Sequence, residues 1–384
     1  MIDADRTKVC DDPRVRSVLA ALAVSALVGC AGVRPPASEP TASPDAVRAR
    51  IAGAMPPSVP DRAGWAVDIY AAMSALGVAT SDENVCSVLA VAEQESGFKA
   101  DPAVPRLGRI VREELDRRAA RAGVPQLLVQ AALAVRSPDT RSYGERIDAA
   151  RTEKEVSDLF DDFVDEVPLG RRLLAGYNPV RTAGPMQVSV AYAEAHVKAK
   201  PYPYRLPARV RDEVFTRRGG LYFGIAHLFD YPARYESHVF RYADFNAGHH
   251  ASRNAAFQNA LSKASGIPLD FDGDLLVPGA ALDQPGATEA AARSLLPRLE
   301  RGATEASLRR ALEAGDGPAF EETRLWARVF ELADAAAGRP QPRAVIPTIR
   351  LASPKITRPL TTEWFARRVE ERQKRCLAKL GAPS

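Results

Sequence analysis

DENVCSVLAVAEQESGF, residues 82–98, is the stretch from which the rest of the chain is read. Val85, Val88, Leu89 and Ala92 recur at i, i+3, i+4 and i+7, the spacing of a helix that buries one stripe. Ser81 or Asp82 stands where an N-cap belongs. The next position on the stripe, three residues after Ala92, is Glu95. A carboxylate therefore falls where a core residue is expected. Burial disfavours the charged form of a carboxyl, which keeps an acid protonated and ready to donate. The competing reading puts Glu95 in solvent at a frayed helix end. Glu93 and Gln94 point elsewhere and read as surface residues.

Helical patterning dominates on both sides of this segment, and no alternating run is long enough for a sheet. Asp61 to Leu76 reads as a helix with Trp65, Ile69, Met73 and Leu76 on one stripe. Further helices are predicted over 106–122, 125–135, twice within 144–176, and over 187–200, 207–229 and 250–264. PYPYRLP at 201–207 and Tyr231-Pro232 interrupt them. Residues 266–286, rich in Gly, Asp and Pro, read as a linker or long loop. Helices return over 287–337, and a last one runs from Thr362 to Leu380.

The N-terminus reads as an address. Ser17 to Gly29 (SVLAALAVSALVG) is apolar or small, follows Arg14 and Arg16, and is shorter than the ~20 residues a bilayer span needs. It ends in Leu27-Val28-Gly29-Cys30, which resembles a bacterial lipobox. That resemblance implies a signal peptide over 1–29, lipidation of Cys30 and a membrane attachment through the N-terminal lipid. By similarity to enterobacterial sorting, Ala31 after Cys30 implies the outer membrane, with the body in the periplasm. Residues 30–60, rich in Pro, Ala and Ser, are expected to be an extended tether. Only Cys86 and Cys376 then remain. They form either a disulfide, which an export compartment permits, or two buried unpaired thiols.

Composition narrows the function classes. Lys and Arg number 52 against 48 Asp and Glu, a net charge of +4, without the basic excess of a dedicated nucleic-acid binder. Four Cys without CxxC spacing give no thiolate metal site, and no metal or cofactor is expected. Adjacent His249 and His250 diverge, so a surface or sugar-contact role is expected of them.

Gln94-Glu95-Ser96-Gly97-Phe98 resembles the Q-E-S-x-F signature of lysozyme-like lytic transglycosylases. Ala183-Gly184-Pro185-Met186-Gln187-Val188 is similar to their G-L-M-Q motif, with Pro185 for Leu. Gly220 to Leu228 resembles their glycine-containing helix, and Tyr242 to Gly248 their A-x-Y-N-A-G motif, with Phe245 for Tyr. The four pieces lie in the family's order over roughly 62–265. They imply a mainly α fold: a lysozyme-like helical domain over 61–265, a helical insertion at about 101–180, and extra C-terminal helices over 287–384. The insertion follows from the 92 residues between Glu95 and Gln187. The whole chain also looks like a family of uncharacterised proteobacterial lipoproteins.

The resemblance implies that Glu95 is the single general acid, then base, on the bond between N-acetylmuramic acid and N-acetylglucosamine in peptidoglycan. Ser96, Met186, Gln187, Tyr222, Phe245 and Asn246 are the candidate substrate contacts. Gln187 and Asn246 carry amides suited to acetamido and hydroxyl groups, and Met186, Tyr222 and Phe245 offer apolar faces. The apolar three are equally readable as core. A carboxylate opposite Glu95 would open hydrolysis, and Asp101 and Asp244 are the candidates weighed. The alternative to an enzyme is a non-catalytic peptidoglycan-binding lipoprotein that keeps the cleft.

Overall fold

The computed structural model describes residues 42–299, 301–351 and 358–381; residues 1–29, expected to be a signal peptide, and Cys30 lie outside them. The architecture is mainly α, as expected, with seventeen α-helices among the described residues and only two-residue strands. Helices α1 (Pro44–Ala54), α2 (Arg62–Ala75) and α3 (Asp82–Ser96) come first. Helices α4 (Leu107–Arg121), α5 (Gln126–Ala134), α6 (Tyr143–Ala149), α7 (Glu153–Glu166) and α8 (Gly170–Leu174) occupy the stretch expected to be an insertion. A tight hairpin follows, β1 (Thr182–Ala183) antiparallel to β2 (Val188–Ser189), with Thr182 opposite Ser189. Then come α9 (Val190–Ala199), α10 (Val210–Val214), α11 (Arg217–Phe229), α12 (His238–Ala247) and α13 (Ala251–Ser265). Helices α14 (Ala287–Ser294), α15 (Glu305–Glu313) and α16 (Arg324–Ala337) precede a second pair, β3 (Arg350–Leu351) with β4 (Leu360–Thr361), and the final α17 (Thr362–Leu380).

Helix α3 is enclosed more completely than an amphipathic stripe requires. Every residue from Val85 to Ala92 is buried. One covering element is α17, which buries Phe365, Ala366 and Val369 in the same core. Cys86 and Cys376 are joined in a disulfide with Cα atoms 5.5 Å apart. Several polar groups along this contact are paired. Gln373 Nε2 donates to Ser87 Oγ at 3.0 Å and to the Glu83 carbonyl at 3.3 Å. Glu93, read above as a surface residue, receives Arg372 at 3.3 Å and Arg375 at 3.4 Å.

Two expectations need correction. The extended tether does not reach residue 60, because Pro44–Ala54 is a helix that buries Val47, Ile51 and Ala54. These three stand at i, i+4 and i+7, and Met55 and Val59 follow them into the core; the surrounding prolines obscured that period. The predicted helix over 207–229 is two, because Thr216 Oγ1 accepts from Gly219 N at 2.9 Å and starts α11 afresh.

The C-terminal region divides between two cores within one compact unit, Pro44–Ser384. Helices α13 to α16 gather around Phe257, Phe320, Trp326 and Phe330, whereas α17 returns to the core of α3. Residues 266–286 are a pinned loop: Gln258 Nε2 donates to Asp272 Oδ1 at 2.6 Å, and Gln258 Oε1 accepts from Gly273 N at 2.8 Å. The insertion has its own small core of Tyr143, Ile147 and Leu159, and α5 leaves Leu127 and Leu128 exposed.

The Cys86–Cys376 bridge closes a loop with a sequence separation of 290. Removing such a crosslink frees unfolded-chain entropy, typically about 2–5 kcal/mol. The double variant Cys86→Ser/Cys376→Ser is expected to lose stability in that range in denaturant unfolding. Reductant should lower the wild type likewise and leave the variant unchanged.

Candidate functional site

Glu95 stands in the last turn of α3, half-buried, where the enclosed helix emerges. The turn beyond it is held by hydrogen bonds and packing. Ser96 Oγ donates to the Ala92 carbonyl at 3.0 Å and accepts from Lys99 N at 3.2 Å. Gly97 ends the helix at φ 59°. Phe98, at φ 60°, is buried and meets Trp65 edge to face at 5.5 Å. Glu95 is thereby aimed into a cleft of about 680 Å³. The other walls are the loop Pro102 to Pro105, Glu153 of α7, Thr182, Gln187, Val188 and Ser189 of the hairpin, His227 of α11, and Phe245 to Gly248.

Close backbone approach holds the hairpin against α11. A Cβ on Gly184 (φ 76°) would collide with the Val214 carbonyl, and one on Gly220 would collide with Pro185 Cδ. On Gly224 a Cβ would come 2.6 Å from Met186 Sδ. Pro185 and Met186 thus fill space that the α11 glycines vacate. Gln187, at φ 49°, is fixed from both ends of its amide. Its Nε2 donates to the Gly184 carbonyl at 3.2 Å, and its Oε1 accepts from Thr182 Oγ1 at 3.2 Å.

The corner between α12 and α13 is organised by Asp244, which is fully buried. It accepts from Tyr231 at 3.0 Å, Tyr235 at 2.6 Å, His250 N at 3.1 Å and Ser252 N at 2.7 Å. Burial pushes its carboxyl up against these bonds. Two residues on, Asn246 Oδ1 accepts from Thr362 Oγ1 at 2.9 Å, so the start of α17 fixes a cleft residue. Behind Phe245, the His227 ring stacks on His249 at 4.5 Å and His249 on Tyr231 at 4.1 Å. His227 Nε2 lies 3.2 Å from the Phe245 carbonyl, which makes it the protonated nitrogen, while Nδ1 is buried without a partner. Burial, then the neighbouring His249, pulls His227 down to about 3; burial takes His250 to about 4.

The structure brings together Glu95, Gln187, Phe245 and Asn246 and excludes the other candidates. Ser96 caps its own helix. Met186 is fully buried, and Tyr222 is core, its hydroxyl 3.3 Å from both His196 Nε2 and the Pro201 carbonyl. His250 is buried, contrary to the surface or sugar-contact role expected of it, whereas His249 is half-buried. Asp244 serves the corner, and Asp101 bonds Thr152 and the Lys154 backbone, burial raising its carboxyl. The carboxylate that does line the cleft with Glu95 is Glu153. The Thr152-x-x-Glu155 capping box marks the start of α7 in the sequence, but nothing local aims Glu153 at the cleft. Among the described residues, no three His, Cys, Asp or Glu are set to hold a metal ion, and no helix is long and apolar enough to cross a membrane.

Comparison with known proteins gives two findings. The family described as "Protein of unknown function (DUF1615)" matches residues 58–379. The chain is 50% identical over 361 residues to "Uncharacterized protein YaiW" of Escherichia coli (strain K12), covering 94% of this chain and 98% of that protein. No solved structure matches.

The buried imidazoles set an acid limit on stability. Folded His227 and His250 titrate at about 3 and about 4, against an ordinary value of 6.5. The unfolded chain therefore takes protons below pH 6.5 that the folded chain refuses, and stability falls as pH drops from there. The melting temperature, followed by calorimetry between pH 7 and 5, is expected to decline steadily. His227→Phe should flatten that decline; an equal slope in wild type and variant would contradict it.

Proposed function

The chain belongs to the DUF1615 family, and we propose that it is a peptidoglycan lytic transglycosylase with Glu95 as its acid and base. The observation that carries this reading is that Glu95 shares one cleft with Gln187, Phe245 and Asn246. These residues come from three motifs far apart in sequence, and nothing but the fold puts them side by side. A carboxyl in a half-buried helix end, facing a cleft lined by polar and aromatic side chains, is suited to protonating a glycosidic oxygen.

In this reading Glu95 protonates the oxygen that links N-acetylmuramic acid to N-acetylglucosamine. The substrate's acetamido group stabilises the positive charge at the anomeric carbon. Glu95 then takes the proton of the muramyl C6 hydroxyl, and that oxygen closes a 1,6-anhydro ring. Phe245 supplies a face for a sugar ring, and the Gln187 and Asn246 amides supply hydrogen bonds. The same proposal places the protein in the periplasm, attached to the outer membrane by a lipid on Cys30. No metal or cofactor takes part in the steps.

Glu95→Gln keeps the shape of the side chain and removes the transferable proton. With purified murein, wild type is expected to release 1,6-anhydromuramyl products, and the variant to release at least about a hundredfold less. Both forms should still sediment with insoluble murein. A wild type that binds murein without cleaving it would sink the enzyme in favour of a non-catalytic peptidoglycan-binding lipoprotein.

A further inference from the structure

Independently of the Glu95 reading, we infer that α5 and the cavity behind it dock on an anionic phospholipid bilayer, the cavity taking acyl chains. From Val124 to Val135 the chain carries no charged residue, and α5 forms within that stretch. A short helix is marginal in water without packing, yet none of the nine residues of α5 is buried. Leu127 is 79% exposed and Leu128 59%, with Val124 and Val135 exposed at either end. Apolar side chains grouped in this way mark a face that meets something apolar.

The apolar surface continues inward. Val129, Ala132 and Leu133 of α5 line a cavity of about 390 Å³, to which α4, α6 and α7 contribute Leu115, Tyr143 and Phe160. Leu128 lines it too while more than half exposed, so the cavity opens to the surface beside α5. A flat protein face could cover Leu127 but would leave that space unfilled. A flexible acyl chain can enter it and make the missing contacts.

The charges around α5 select the headgroup. From Arg117 to Arg136 the sequence holds four arginines and no acid. Glu114, just before them, pairs with Arg117 and, at 2.6 Å, with Arg118. Arg121 lies 3.8 Å from the same carboxylate, its side chain 69% exposed. Arg121 and Arg136 thus bracket an uncharged apolar helix. That is the arrangement of a helix lying in a membrane interface, with apolar side chains among the acyl chains and guanidinium groups at the phosphates. Exposed Tyr177, whose carbonyl accepts from Arg118 at 3.4 Å, adds an aromatic ring of the kind that suits such an interface.

The test places the photoreactive p-benzoylphenylalanine at Leu127 of the full chain, with Ala336, an exposed residue of α16, as the control position. The chain is irradiated in whole cells and, once purified, with vesicles of phosphatidylethanolamine and phosphatidylglycerol at about three to one. Position 127 is expected to form phospholipid adducts at least about tenfold more often than position 336. Arg121→Glu/Arg136→Glu, or vesicles of neutral phosphatidylcholine, should lower that yield about fivefold or more. Equal yields at the two positions, or a yield indifferent to both charge changes, would overturn the inference. So would adducts with residues 1–41 of the same chain, with a second copy or with another protein in place of lipid. No residue of α5 lines the Glu95 cleft. Murein cleavage by these variants is therefore expected to match wild type, and a wild type that cleaves no murein would leave the lipid result standing.

Discussion

The clamp of α17 on α3 is the constraint from which the rest of the structure follows. For two turns α3 has no face to offer to water, since Val85 to Ala92 are all buried. A helix apolar all round must be covered all round. Part of that cover comes from the far end of the chain, where Cys376 bridges Cys86 and Gln373 satisfies Ser87 and the Glu83 carbonyl. The same helix begins at Thr362, whose hydroxyl holds Asn246. One late element therefore braces both the helix that presents Glu95 and the amide across the cleft floor. The site is complete only when the last helix has docked.

The remaining walls rely on complementary absence and excess of volume. Three glycines, Gly184, Gly220 and Gly224, leave room that Pro185, Met186 and the Val214 carbonyl occupy. Pro185 in the hairpin is thus matched to Gly220 on the facing helix. Phe245 puts an aromatic side chain at the cleft while its carbonyl accepts from His227.

The sequence foretold the helices whose polar and apolar residues alternate with a clear period, such as α2, α16 and α17. It foretold less where period and composition disagreed. In α1 the Val47, Ile51, Ala54 stripe lay among prolines and alanines that read as a tether. The α12 helix passed unassigned between the helices expected over 207–229 and 250–264, and its buried Asp244 is intelligible only once Tyr231, Tyr235 and the α13 amides surround it. Within the site, Glu95, Gln187 and Asn246 were legible through motif order. Glu153 was not, because a residue on an inserted helix acquires meaning only from where the insertion folds back. Met186 and Tyr222 misled for a simpler reason: large apolar side chains look alike whether they line a cleft or fill a core.

The internal bonds of Gln187 and Asn246 bear on what the cleft can do. Each amide has both donor and acceptor capacity. Gln187 uses part of each on Gly184 and Thr182, and Asn246 uses its carbonyl on Thr362. A side chain fixed on its inner side loses little rotamer entropy when a ligand meets its outer side, so binding through it is stronger for the same contact. The αL backbone of Gln187 points the same way, since a non-glycine residue at φ 49° is held there only by its surroundings. The Asp244 corner and the Ser96–Gly97–Phe98 turn treat Asn246 and Glu95 alike. Restraint of this kind suits the site proposed above. It has a use where an acid must meet one oxygen of a sugar chain held in one register.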